Sequence, residues 1–263
     1  MGASSANSFG AGSCPILEHP APGSVLKRSM VGGLHAVLPT VPFWNGGASP
    51  LGRSAIFLYN TPMIRKKMLL INCYREEAEK KISGYRDWLR AGAVAAGLEL
   101  TVRDVRDAGP FPGAKDFDAV VVSGSQKMVA AGEVETGLLE FLKYNRRPLL
   151  GICYGHQVLA AAFGAIVKKD AVKHLGDEDV RLLGRHELFA HLPPVFKMRE
   201  SHEEIVMRGR ELEKSFSLQA ENGSGLVEAI VHRMVPLYGV QFHPEKSGEP
   251  GIRLLGNFLK LIP

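Results

Sequence analysis

Leu149-Leu150-Gly151-Ile152-Cys153-Tyr154-Gly155-His156-Gln157 is the stretch whose reading decides the fold. A short apolar run of the kind a buried strand makes leads into Gly-x-Cys-x-Gly, and a helical pattern follows over 155–163. This is the pattern of a nucleophile elbow with cysteine in place of serine. The nucleophile of an elbow sits on a tight strand-to-helix turn, so its flanking residues must be small, and Gly151 and Gly155 meet that need. The turn lifts the sulfur above the carboxyl ends of the strands, where open α/β sheets bind ligands. The helix that follows points its positive end at the sulfur. The amide of Tyr154, next in the chain, can donate to a developing oxyanion.

Upstream, residues 68–73 (Met-Leu-Leu-Ile-Asn-Cys) form another short apolar run, with Cys73 expected to pack in that strand. A long helical stretch over 76–96 follows, with Ala78, Ile82, Tyr85 and Leu89 at helical spacing and Glu76, Glu77 and Glu79 crowding its start. Strands are predicted over 98–105, 118–122 and 148–152, with a helix over 133–144. Strand and helix alternating at this spacing argue for parallel crossover units, and so for an open α/β sheet with helices on both faces. Downstream the chain is richer in strands: around Val180 and over 196–199, 216–219, 227–231 and 237–242. A last helix is predicted over 250–261.

A nucleophile needs a base, and the segment Leu237-Tyr238-Gly239-Val240-Gln241-Phe242-His243-Pro244-Glu245 offers one about 90 residues after Cys153. His243, at the end of a predicted strand, can exchange a proton with Cys153. Glu245 can hold the other imidazole nitrogen, in the nucleophile, base and orienter logic of the triads. Pro244 fixes the backbone between them.

The chain has 263 residues, 45% hydrophobic and 22% charged, which is ordinary globular composition. No apolar run reaches the roughly 18–20 residues that span a bilayer, so no membrane partner is expected. Cys14, Cys73 and Cys153 cannot make a disulfide framework and fit a reducing compartment, with the cytoplasm as the default location. The net charge of +5 arises in residues 1–67, which hold six basic residues and one acid; 68–263 is balanced. The charge is therefore no argument for a nucleic-acid partner. Residues 1–62 are half Gly, Pro, Ser and Ala and contain no Asp. That composition reads as a disordered extension, as translation upstream of a start at Met63 or Met68, or as a transit peptide. Gly2 does not make a myristoylation site, because Ala6 stands where Ser or Thr is needed. The organisation expected is thus an extension over 1–67 and one folded domain over 68–263. His174, His186, His191 and His232 lack metal-ligand spacing, and the chain has no phosphate-binding loop, so no metal or cofactor is expected.

Gly151-Ile152-Cys153-Tyr154-Gly155-His156-Gln157 together with Gly239-Val240-Gln241-Phe242-His243-Pro244-Glu245 resembles the class I (triad) glutamine amidotransferases. The resemblance covers 68–263. It implies a flavodoxin-like α/β fold and hydrolysis of the side-chain amide of L-glutamine through a γ-glutamyl thioester, with ammonia passed to a synthetase. By position it makes Cys153 the nucleophile, His243 the base and acid, and Glu245 the orienter. It assigns the loop after the 118–122 strand, Ser123-Gly124-Ser125, to the oxyanion hole, with Gly124 beside Tyr154. Gln157 matches a residue that contacts glutamine, and Ser201 and His202 match a loop lining the glutamine pocket.

Within the family, the elbow and the Ser-His loop are similar to the glutaminase subunit of split, archaeal-type GMP synthase. Glu245-Lys246-Ser247-Gly248 is more like the glutaminase of imidazole glycerol phosphate synthase. Three functions follow from these readings: a glutaminase serving a separate synthetase subunit, an independent γ-glutamyl hydrolase, or a non-catalytic regulatory module. The intact Cys153, His243 and Glu245 argue against the last.

Overall fold

The computed structural model describes residues 66–263 except 108–110 and 112–113, and excludes the side chains of 93–96 and 114. The chain divides into two units, Met1–Phe57 and Leu58–Pro263, and every described residue belongs to the second. The extension expected over 1–67, Cys14 included, lies outside the described residues apart from Lys66 and Lys67.

Five strands form a parallel half-sheet: β1 (Lys67–Asn72), β2 (Glu99–Asp104), β3 (Ala119–Val122), β4 (Leu149–Ile152) and β9 (Leu237–Val240). Four more continue it antiparallel: β5 (Val167–Leu182), β6 (Val195–Val206), β7 (Phe216–Asn222) and β8 (Val227–His232). The order across the nine-stranded sheet is β2-β1-β3-β4-β9-β8-β7-β5-β6. The helices are α1 (Ala78–Ala96), α2 (Thr136–Tyr144), α3 (Tyr154–Ala162), α4 (Arg210–Ser215) and α5 (Gly248–Lys260). The first strand thus starts at Lys67, one residue before the expected domain boundary, with Lys67 opposite Glu99.

Alternation along each central strand sorts its side chains onto two cores. Met68 and Leu70 of β1, Ala119 and Val121 of β3, and Leu150 and Ile152 of β4 pack with Ile82, Tyr85 and Leu89 of α1 and Leu254, Leu255 and Phe258 of α5. Leu69 and Ile71, Val120 and Val122, and Leu149 face the other way, against Leu138 and Leu142 of α2 and Val158 and Leu159 of α3. Each fully buried Leu, Ile or Val contributes about 1.5–3 kcal/mol of transfer free energy. With both faces covered, these strands read as continuous apolar runs. Cys73 follows β1 into the second core, where burial pushes its thiol up to about 12. Among the described residues no helix is long and apolar enough to cross a membrane.

Candidate active site

Cys153 lies between β4 and α3 with φ 51° and ψ −104°, a backbone conformation that costs a non-glycine residue about 1–3 kcal/mol. The turn is packed without slack. A Cβ on Gly151 would stand 2.5 Å from the Gly155 carbonyl oxygen, and one on Gly155 would stand 2.5 Å from that of Val122. Both contacts are with backbone, so neither position can take a larger residue without displacing α3. The Cys153 amide donates to the Val240 carbonyl at 2.8 Å, which ties the elbow to β9. The amide of Tyr154, first residue of α3, has no acceptor within the helix.

β9 runs parallel to β4, with Ile152 opposite Val240. Chain leaving both strands therefore emerges at the same sheet end, and His243 comes out beside Cys153. Its backbone is held on both sides: the His243 amide donates to the Arg199 carbonyl at 2.8 Å, and the Ser247 hydroxyl donates to the His243 carbonyl at 2.7 Å. Gly251 allows the approach of α5, since a Cβ there would fall 1.9 Å from the Pro244 carbonyl oxygen. Nδ1 of His243 lies 2.7 Å from Oε1 of Glu245, whose side chain is 1% exposed. A carboxylate can only accept, so Nδ1 carries the proton and Nε2 is the nitrogen left for the sulfur. Burial disfavours the imidazolium, but the Glu245 carboxylate and the Cys153 sulfur outweigh it and lift the His243 pKa to about 9. Burial likewise opposes the Glu245 carboxylate, and the adjacent imidazolium more than offsets it, leaving that carboxyl below its ordinary value.

A cavity of about 380 Å³ opens over Cys153 and His243, bordered by Ser125, Gln157, Ser201 and His202. A larger one of about 620 Å³, between Leu182 and Pro194, holds none of the residues expected in the site. The Ser201 carbonyl is 3.9 Å from the Cys153 sulfur. Gln157 is buried, with Nε2 donating to the Glu204 carbonyl at 2.9 Å and lying 3.2 Å from Gln241 Oε1. Nδ1 of His202 is 2.9 Å from the same Glu204 carbonyl. The expected site residues are thus brought together, with one difference. The Gly124 amide, expected at the oxyanion, donates to the Tyr85 hydroxyl at 2.9 Å. Tyr85 reaches it because the inner face of α1 packs over the loop after β3, and its hydroxyl is also 3.4 Å from His243 Nδ1.

In the sequence Tyr85 stands out only as one position at helical spacing in the 76–96 stretch, and Glu204 and Gln241 carry no site role. The Glu204 carboxylate accepts from the amides of Val129 and Ala130 at 2.7 and 2.9 Å, fastening the loop that borders the cavity. The one available signal for Tyr85 was a hydroxyl on an otherwise apolar helix face. For Glu204 there was none, because its partners are backbone amides about 75 residues away.

The family model for Glutamine amidotransferase class-I matches residues 81–261. The chain belongs to the class I glutamine amidotransferases. Among curated relatives, this amidotransferase is 33% identical over 165 residues to the glutamine-hydrolyzing GMP synthase subunit of Archaeoglobus fulgidus, covering 62% of this chain and 86% of the relative. To the protein of the same name from Ignicoccus hospitalis it is 35% identical over 154 residues, 58% of this chain and 80% of the relative. Two solved structures share the fold. A candidate GMP synthase subunit from Thermoplasma acidophilum superposes with a TM-score of 0.62 at 22% identity, over 75% of this chain and 94% of the other. A glutamine amidotransferase from Thermotoga maritima gives 0.55 at 20% identity, over 69% and 76%.

Proposed function

We propose that the chain is the glutaminase component of a two-part, GMP synthase-like amidotransferase. It hydrolyses the side-chain amide of glutamine and delivers ammonia to a separate synthetase subunit in the cytoplasm. The observation that carries the reading is the convergence of Cys153, on a strained elbow, with a His243–Glu245 pair at 2.7 Å under one cavity. Relatedness to the glutamine-hydrolyzing subunits of GMP synthases supports the acceptor side.

In this mechanism the Cys153 sulfur attacks the carboxamide carbon as His243 Nε2 takes the thiol proton. The site favours the imidazolium that results. Negative charge develops on the amide oxygen and is met by the Tyr154 amide. The Gly124 amide joins it by exchanging Tyr85 for the oxyanion. The tetrahedral adduct collapses, the C–N bond breaks, and His243 returns its proton to the leaving nitrogen, which departs as ammonia. Water, deprotonated by His243, then cleaves the γ-glutamyl thioester to glutamate and free thiol. Glu245 keeps Nδ1 protonated throughout. Gln157, Ser201 and His202 form the wall against which glutamine lies.

The test is to purify the chain with whatever synthetase accompanies it and to measure glutamine hydrolysis with and without that partner. Slow turnover alone and stimulation by the partner are expected. Brisk hydrolysis of γ-glutamyl peptides by the isolated chain, unaffected by any synthetase, would overturn the two-part reading.

A further inference from the structure

Three ionisable side chains in and behind the pocket wall take no part in the mechanism above as acids or bases: His202 and Glu200 of β6 and Glu228 of β8. One carboxyl oxygen from each Glu and one nitrogen of His202 all lie within 4.8 Å of one another. Both glutamates are 0% exposed and His202 is 6% exposed. Among the described residues no N–H or O–H donor reaches any of the four carboxyl oxygens. Two bare carboxylates cannot share such a space, because both are acceptors and neither is solvated.

The His202 tautomer settles where one proton must be. Nδ1 faces the Glu204 carbonyl at 2.9 Å, and a carbonyl accepts only, so Nδ1 carries hydrogen. Burial disfavours the charged ring. In the neutral ring Nε2 is then an acceptor, and it faces Glu200 Oε2 at 3.2 Å. A lone pair opposite a carboxylate would repel, so a proton on Glu200 is required to bond them. The same logic applies between Glu200 and Glu228.

We infer that Glu200 and Glu228 are kept as carboxylic acids and that, with His202, they form a buried hydrogen-bonded chain that positions the wall of the Cys153 pocket. The inference rests on the glutaminase reading for its functional consequence. The chain runs from Glu228 through Glu200 and His202 to the Glu204 carbonyl, where Gln157 Nε2 also donates, and through Gln157 to Gln241. The two ends are tied through the backbone, where the main-chain N–H of Gln241 donates to the main-chain carbonyl of Glu228 at 2.8 Å. The segments it joins carry the site: β6 with Ser201, α3 with Gln157 one turn after Cys153, and Gln241, just past the end of β9 and two residues before His243. Glu200, Glu228 and His202 are in this sense positioning residues.

The charges facing the cluster agree. Burial raises the Glu200 carboxyl to about 8, and the neighbouring Glu178 adds to the effect. Burial and the nearby Glu200 hold Glu228 well above the ordinary carboxylate range. On the open side His202 stacks on His174, with ring centroids 4.7 Å apart, and His174 is itself engaged by Asp170 and Glu178 at 3.0 and 3.1 Å. Buried His156, on α3, is pushed down to about 3 by burial and by His202, so it brings no competing charge.

Three ligands are one fewer than a structural zinc site takes, but a divalent metal is the competing occupant and the test must exclude it. Glutamine is the isostere of a neutral carboxylic acid and keeps one donor and one acceptor. Infrared spectra of the full-length wild type at pH 7 should show the carbonyl band of protonated carboxyl groups, diminished in Glu200→Gln and further in Glu200→Gln/Glu228→Gln. As pH rises from 6 to 9, wild-type Tm should fall and KM for glutamine should rise several-fold. In Glu200→Gln both dependences should weaken, leaving in Tm the fall that His243 contributes toward pH 9, whereas Glu200→Ala should raise KM at every pH. A missing band, or equal pH dependence in wild type and Glu200→Gln, would overturn the inference. So would one equivalent of zinc or manganese bound by wild type and lost in the double variant. If the double variant does not fold, the wild-type band and the single variant still decide. A protein with the band but no glutaminase activity would defeat the functional reading while leaving the acid pair in place.

Discussion

Replacing Glu245 by Gln tests the triad without emptying its space. The carboxylate accepts from His243 Nδ1 at 2.7 Å in a site where its side chain is 1% exposed. The lift of the His243 pKa from 6.5 to about 9 corresponds to about 3 kcal/mol in favour of the imidazolium. The Glu245→Gln change removes the carboxylate's share of that stabilisation and leaves the burial cost. It also supplies an NH₂ that can donate to Nδ1, which would shift the ring hydrogen to Nε2 and block the nitrogen that must accept the thiol proton. A loss of about 3 kcal/mol from the transition state is a fall of roughly two orders of magnitude in kcat, and the wrong tautomer adds to it, as in the serine triads. KM should change little, because Glu245 lies behind the imidazole. The assay is steady-state glutamine hydrolysis with the partner present, with Tm measured in parallel to show that the variant is folded. A folded Glu245→Gln enzyme with kcat within threefold of wild type would refute the orienter role and the electrostatic reasoning behind it.

The same pair predicts a pH window. The His243 pKa is raised on folding, so its share of stability is full below about 6.5 and is lost as pH rises through about 9. Glu245 is shifted down, so its share is present above its unfolded value and is lost as pH falls through the folded one. The Tm difference between wild type and Glu245→Gln should therefore peak between these limits and vanish above pH 9. Gly155→Ala, whose Cβ meets the Val122 carbonyl oxygen at 2.5 Å, should cost about 2 kcal/mol, seen as a Tm lower by about 4–8 °C, and should displace Cys153 enough to abolish turnover. Tyr85→Phe leaves the Gly124 amide without its acceptor and should cost about 1–3 kcal/mol, while glutamine turnover stays within about tenfold because the freed amide can serve the oxyanion. Truncation to Met63 should leave Tm and activity unchanged. Truncation to Met68 should lower Tm, because it removes the contacts of Lys66 to the Ile262 carbonyl (2.9 Å) and of the Lys67 amide to Asp118 (2.7 Å).

The parallel half of the sheet was legible because its strands are buried on both faces, so β1, β3 and β4 are unbroken apolar runs. Of the hairpin of β5 and β6 only short pieces were legible, around Val180 and over 196–199. Of the sixteen residues of β5 only His174 and Val180 are buried, so most of that strand carries no apolar signature. Similarly, α4 is six residues long with only Leu212 buried. Cys153, His243 and Glu245 could be read because elbow and His-Pro-Glu chemistry is local in sequence. His202 could be placed at the pocket by the motif, but Glu200 and Glu228 could not: what singles them out is burial with no donor on their carboxyl oxygens, a property of the folded chain. Tyr85 was hidden in another way, since its ring does belong to the core and only its hydroxyl serves the site.

The most direct test of the central claim is mass spectrometry of the partner-activated enzyme, quenched in acid during glutamine turnover. The γ-glutamyl adduct should appear on the peptide containing Cys153, accumulate with enzyme rather than with product, and be absent in Cys153→Ala, which should not hydrolyse glutamine. Turnover that persists in Cys153→Ala, or an adduct on any other residue, would contradict the account.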